Sequence, residues 1–275
     1  MSILAYEYRE TLLKVQDVAL SYNGVPVLRD VNLEIRNVVR PQRTQGQVVA
    51  LLGPSGVGKT SLFRIIAGLS RPDTGTIQVE EAGHHVQRGM VGVVAQDYPL
   101  FAHRTVWGNL AVAGRSAGLS PSEAKSRATG LLERFGLTDQ AQKYPVQLSG
   151  GQRQRIAIAQ QFMCSDHFLL MDEPFSGLDP IAVQRVCHLI TEIAASDELK
   201  TFILVTHDIA AALQVADTVW LLGRDRDAEG KPIPGARIQE TYDLIERDIA
   251  WHPNIEETPE FAATLREVRA RFQTL

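Results

Sequence analysis

The run Gln47–Leu52, "QVVALL", passes without interruption into "GPSGVGKT" and then into "SLFRIIAGL". Six consecutive residues of this kind suit a strand buried on both faces, and a parallel sheet is where both faces are covered. Glycines and a proline then break the strand, and a helix begins near Thr60. Strand, glycine-rich turn and helix in that order leave the chain little freedom. The strand end must meet the helix N-terminus, whose bare N–H groups favour an anion. Gly53, Pro54, Ser55, Gly56, Val57, Gly58, Lys59 and Thr60 carry the spacing of a phosphate-binding loop. Glycines let the backbone curl around a phosphate, and Lys59 supplies a cation for the terminal phosphates. The Thr60 hydroxyl, followed by Ser61, is placed for the Mg²⁺ of a nucleoside triphosphate.

"HFLLMDEP" supplies a second buried strand, ending in Asp172 and Glu173. A carboxylate at the end of a strand beside the phosphate loop can complete a magnesium shell, and its neighbour can polarise a water. Asp172 is expected to hold the metal and Glu173 to activate the attacking water. "TFILVTHD" follows as another short apolar strand, separated from the last by the helical "DPIAVQRVCHLITEIAAS". Such alternation implies a parallel sheet with right-handed crossovers. Ahead of it, "LLKVQDVALSY" and "VPVLRDVNLEI" alternate in polarity around Asn23-Gly24, which predicts an antiparallel hairpin. "RNVVRPQRTQG", from Arg36 to Gly46, is expected to be a loop. Strands are also expected in "TGTIQVE", "GMVGVVAQ", "ADTVWLLG" and "ARIQETYDL", and a mostly helical insert from about Tyr98 to Phe162. The fold class is α/β: a phosphate-loop NTPase core with a mostly parallel sheet, an N-terminal antiparallel β part and an inserted helical part.

With 275 residues and 44% hydrophobic content, the chain can bury a full core as one large domain, or one domain with a tail. A net charge of −4 argues against a nucleic-acid coat. Cys164 and Cys187 suit a reducing compartment, and both thiols are expected to be buried. "MSILAYEYRETLL" lacks the features of a signal peptide, and no window approaches the ~18 apolar residues of a membrane span. A role at a membrane must therefore come through a partner.

"LSGGQRQRIAIA" carries no carboxylate, histidine or cysteine. Ser149 behind two glycines and a run of helix formers describes a helix entry with exposed N–H groups. "LSGGQ" ends twenty residues before Asp172. Together with the phosphate loop it resembles the ATP-binding cassette family over about residues 11–225. The resemblance implies a head-to-tail dimer in which Ser149, Gly150, Gly151 and Gln152 close over the ATP held by the other subunit. It also implies that Tyr22 stacks on adenine, that Gln96 senses Mg²⁺ and the attacking water, and that Asp179 links the two sites. His207 would contact the γ-phosphate. Gln160 stands where the family commonly has arginine, and the 36–46 connection is longer than usual.

The lone cassette, "KYPVQLSGGQRQRIAIA" and "LFAHRTVWGNL" resemble importer subunits. The expected partners are transmembrane permease subunits, a second copy of the chain or a related ATPase subunit, and a solute-binding protein, with the chain peripheral at the cytoplasmic face of the membrane. An ATPase serving an exporter or lipid-trafficking complex is compatible with the same residues, and a non-transport cassette protein is less so. Cargo is not written in the motifs. Tyr98, Leu100, Phe101 and Trp107 are expected to contribute to a docking groove for the membrane subunit. Residues 1–225 are taken as the nucleotide-binding domain and 226–275 as a C-terminal extension. Within that extension, Thr258-Pro259 would open an amphipathic helix with Phe261, Leu265, Val268 and Phe272 on one face.

Overall fold

A computed structural model of the chain describes residues 6–39, 46–79, 84–95, 98–165, 168–195, 201–252 and 254–275. Among the described residues, ten strands, numbered in chain order, form one mixed sheet in the order β5-β4-β1-β2-β10-β9-β3-β8-β7-β6. β3 (Gln47–Leu52) lies between β8 (Thr201–Thr206) and β9 (Thr218–Arg226). β8 is followed by β7 (Phe168–Asp172) and β6 (Val91–Val94), and these five strands are parallel. Every residue of β3 is buried. Val48, Ala50 and Leu52 feed one core while Val49 and Leu51 feed another, because alternate side chains leave opposite faces. That two-sided burial is why the segment shows no polar alternation.

The antiparallel part is β1 (Glu7–Tyr22), β2 (Val25–Val39), β4 (Thr74–Val79) and β5 (His84–His85). Asn23 and Gly24 both take positive φ, as the tight turn requires. One expectation is corrected here. Residues 36–39 are strand rather than loop, because β1 begins early enough for Glu7 to pair with Val39. Arg36 lies over the Tyr8 ring at 5.6 Å and donates to the Arg9 carbonyl at 3.3 Å. Residues 40–45 of that connection lie outside the described residues.

α1 (Lys59–Ile66) follows the glycine turn, and the helical insert comprises α2 (Val106–Ser116), α3 (Pro121–Arg134) and α4 (Gly150–Phe162). α5 (Pro180–Ala195) and α6 (Ile209–Val215) connect the parallel strands. α7 (Pro259–Phe272) is capped by the Thr258 hydroxyl, which accepts from Phe261 N at 3.2 Å. Phe261 and Val268 are buried in the core on the α4 and α5 side, with Leu265 and Phe272 packed against it. The boundary drawn at 225 falls inside a hairpin: β10 (Pro232–Asp243) pairs antiparallel with β9 and sits between β9 and β2. Cys187 is buried, but Cys164 is exposed, so burial of both thiols does not hold. Cys164 stands just past the C-terminus of α4, where its Sγ still reaches the Ala113 carbonyl at 3.4 Å.

β10 meets β2 through a single bridge, Ala236 to Leu28, so the antiparallel part needs another tie to the main sheet. Asp225 on β9 provides it. Its carboxylate pairs with Arg29 of β2 and accepts from Arg237 of β10 at 2.8 Å and from Gln239 at 3.0 Å. The Arg237 and Gln239 hydrogen bonds, aided by nearby Arg29, hold its carboxyl at about 2, below its ordinary 3.8. A carboxyl depressed on folding stabilises above its unfolded value, and that contribution is lost as pH falls through the folded one. Asp225→Asn is therefore expected to lower Tm at pH 7, with the gap from wild type closing between about pH 4 and pH 2 in thermal melts. A gap that stays constant over that range contradicts the assignment.

Candidate nucleotide site

The C-terminal ends of β3, β7 and β8 lie side by side: Leu52 pairs with Thr206, and Asp172 with Val205. Each strand delivers its next residues to the same edge. β3 delivers the loop Gly53–Gly58, β7 delivers Asp172 and Glu173, and β8 delivers Thr206 and His207. Gly58 has φ +115°, a conformation open to glycine and strained for other residues, and it lets the chain turn from loop into α1. Val27 of β2 stands within 3.1 Å of the position a Cβ on Gly58 would take, so the β1–β2 hairpin is seated against the loop. Tyr22, at the tip of that hairpin, keeps 54% of its surface exposed. Ser55, Gly56 and Thr60 are exposed, while Val57 is buried beneath the loop. Ser61 is half-buried on the first turn of α1.

Lys59 is turned inward and only 7% exposed. Its Nζ donates to the Gly53 carbonyl at 2.8 Å and to the Pro54 carbonyl at 3.2 Å, and lies 3.7 Å from Glu173 Oε1. Burial pushes its ammonium below the ordinary lysine value, while the Glu173 and Asp172 carboxylates pull it back up. Asp172 is pushed up, first by burial and then by Glu173, with Lys59 opposing. Its Oδ1 is buried and makes no hydrogen bond. A buried carboxylate oxygen left in this state fits a hard cation.

Glu173 takes φ +48° and is fixed by its N–H to the Val205 carbonyl at 2.7 Å. Its Oε2 accepts from the Thr206 hydroxyl at 3.1 Å and from His207 N at 3.3 Å, and lies 2.8 Å from His207 Nδ1. Thr206 is fully buried, and its oxygen accepts from Asp208 N at 3.1 Å, which leaves its proton for the carboxylate. Sequence reasoning passed over Thr206; only its place beside His207 pointed to it. It also passed over Arg224 of β9, whose Nη2 donates to the Gly56 carbonyl at 3.3 Å. No motif contains it.

Ser149–Gln152 stands apart from this cluster. Ser149 caps α4, accepting from Gln152 N at 3.3 Å while its own N–H donates to Gln152 Oε1 at 2.9 Å. Gly150 and Gly151 are exposed. The signature residues line a groove shared with Tyr98, Leu178 and Ala182, and none of Gly53–Thr60, Asp172, Glu173 or His207 lines it. Asp179, in the turn beside that groove, uses its Oδ1 to cap α5 through Ala182 N at 3.0 Å. Gln96 lies outside the described residues. Of the expected docking residues, Tyr98, Leu100 and Trp107 pack partly buried against the core, and Phe101 is 42% exposed. Asn109, fully buried, clasps their loop by accepting from Phe101 N at 2.7 Å and donating to the Thr105 carbonyl at 2.9 Å.

The family model described as ABC transporter matches residues 37–176. This chain belongs to the ABC transporter family. Its sequence is 43% identical over 220 residues to the sulfate/thiosulfate import ATP-binding protein CysA of Ralstonia nicotianae, covering 77% of this chain and 56% of that one. It is 36% identical over 268 residues to CysA 1 of Agrobacterium fabrum, covering 95% and 73%. Among solved structures, cbiO1 of Clostridium perfringens, part of the ABC transporter complex cbiONQ, superposes with a TM-score of 0.73 at 26% identity, covering 96% of this chain and 97% of that one. The chain spans 56% of the length of the Ralstonia relative and 60% of a CysA from Acinetobacter baylyi. Among the described residues, no helix is long and apolar enough to cross a membrane.

Gly53 gives the sharpest test of the loop geometry. A Cβ placed there would sit 2.7 Å from the Leu222 carbonyl oxygen, which belongs to β9 and cannot swing away. Gly53→Ala is expected to lower Tm and to weaken ATP binding at least about tenfold, by displacing the carbonyl that holds Lys59. Wild-type ATP affinity in fluorescence titration contradicts this.

Proposed function

We propose that this chain is the ATP-hydrolysing subunit of a bacterial importer, acting with a second ATPase copy beneath transmembrane permease subunits at the cytoplasmic face of the membrane. The observation that carries it is the convergence of Lys59, Asp172, Glu173 and His207 at one sheet edge. The CysA relatives support import, and through their names they favour sulfate or thiosulfate as the cargo delivered by a solute-binding protein.

ATP enters with its phosphates at the mouth of the loop, where Lys59 exchanges the Gly53 and Pro54 carbonyls for phosphate oxygens, a charge-assisted contact that replaces two neutral acceptors. Adenine stacks on the exposed Tyr22 ring. Mg²⁺ would be held by Asp172 and Thr60, with Gln96 a further ligand, and when bound it would neutralise charge on the phosphates. Glu173, released by Lys59 but still held by Thr206 and His207, accepts a proton from the water whose oxygen attacks the γ-phosphorus. The bond to the β-phosphate oxygen breaks, and inorganic phosphate and ADP leave. His207, more than half exposed, faces the γ-phosphate. The N-terminus of α4 at Ser149 meets the γ-phosphate of the ATP held by the other subunit, with Asp179 at that junction.

Glu173→Gln is expected to keep ATP affinity within about twofold and to cut hydrolysis about 10²- to 10⁴-fold, measured as phosphate release. Lys59→Ala is expected to lose affinity itself. Pairing is tested with a mixed dimer carrying Ser149→Arg on one subunit and Lys59→Ala on the other. In trans, both lesions fall in one composite site and one nucleotide is occluded per dimer. None occluded overturns the head-to-tail arrangement.

A further inference from the structure

Tyr98 lies at the entrance to the helical insert, two residues past Gln96, and takes φ +46°. A tyrosine holds that conformation only where its surroundings over-determine it. Its N–H donates to the Ala95 carbonyl at 3.0 Å, and two side-chain hydrogen bonds add to that hold. Its hydroxyl donates to the Pro174 carbonyl at 3.1 Å and accepts from Gln154 Nε2 at 2.8 Å. Pro174 directly follows Glu173, and Gln154 lies on α4, 6% exposed, about a turn past the Ser149 cap. Burial pushes the phenol up to about 12, so its proton stays on the oxygen at neutral pH and the direction of both bonds is fixed. One oxygen atom thus joins the entry loop, the signature helix and the carbonyl of Pro174, the residue after the glutamate.

The strained backbone of Glu173 explains what that junction is for. A glutamate at φ +48° relaxes unless its peptide is held on both sides. The Val205 carbonyl holds the preceding side through Glu173 N–H. On the following side, the Glu173 carbonyl accepts from Ser176 N–H at 3.1 Å, and one peptide further on the Tyr98 hydroxyl holds the Pro174 carbonyl.

We propose that Tyr98 is a positioning residue for ATP hydrolysis, its hydroxyl tying the signature helix through Gln154 to the Pro174 carbonyl, one peptide past Glu173. The inference rests on the function proposed above. It makes the orientation of the glutamate depend on where α4 stands, so closure at Ser149 is felt at Glu173 within the same chain. Tyr98 does this with its hydroxyl, whereas its ring packs on the core as any aromatic would.

The test is a double-mutant cycle on the full chain with Tyr98→Phe and Gln154→Met, reading kcat and KM for ATP and Tm. Each single variant is expected to lower kcat about fivefold to tenfold with KM within about twofold. The double variant is expected to fall no further than the weaker single, because both changes break one junction. Wild-type kcat in Tyr98→Phe, or a double loss equal to the product of the singles, overturns the proposal. Should Tyr98→Phe fail to fold, Gln154→Met decides alone: reduced kcat at unchanged Tm supports the junction and unchanged kcat overturns it. A wild-type chain that releases no phosphate from ATP overturns the functional reading as well, whereas an active wild type with an active Tyr98→Phe overturns only the junction.

Discussion

The ammonium of Lys59 is the charge around which the rest of this edge is arranged. A lysine 7% exposed must find partners, and it finds two loop carbonyls and the Glu173 carboxylate. Satisfying the two carbonyl contacts requires Gly53 and Pro54 to fold back over the helix entry, which in turn requires a glycine at Gly58 and no Cβ at Gly53. Satisfying the third requires β7 to end level with β3. Parallel strands with β8 between them deliver that alignment without further adjustment.

Glu173 is held unequally by this arrangement. Oε2 meets the Thr206 hydroxyl, the His207 N–H and the His207 ring, while Oε1 faces Lys59 at 3.7 Å. A carboxylate anchored through one oxygen leaves the other to take a proton, which suits a base that must wait for its substrate. The signature, by contrast, is complete as local structure: Ser149 and Gln152 satisfy each other, and the glycines beside them face outward. Among the described residues, none of Gly53–Thr60, Asp172, Glu173 or His207 lines the groove at those N–H groups, which agrees with the family reading that a second chain supplies the phosphate.

Sequence order was enough to place the helices and strands where a period or a stop signal was local. "QVVALL", "HFLLMDEP" and "TFILVTHD" all became buried parallel strands, and Thr258-Pro259 opened a helix whose apolar stripe packs inward. Arg36 shows where local signals fail. Its flanking polar residues read as loop, yet pairing with an early β1 carried β2 to Val39. Asp225 is similar: its partners come from β2 and β10, so no window of sequence contains the clasp.

What the sequence by itself determined is the chemistry. The glycine loop with Lys59, the paired carboxylates and the helix entry at Ser149 are each contiguous, and a contiguous motif needs only local backbone geometry to be recognised. What the tertiary structure decided is who touches whom: the seating of the β1–β2 hairpin against Gly58, the hydroxyl of Thr206 on Glu173, and the three-way contact of Tyr98. Those pairs are separated by tens of residues or more and set by strand order and helix packing. Hydrogen bonds formed only after long-range closure leave no periodicity behind in the chain.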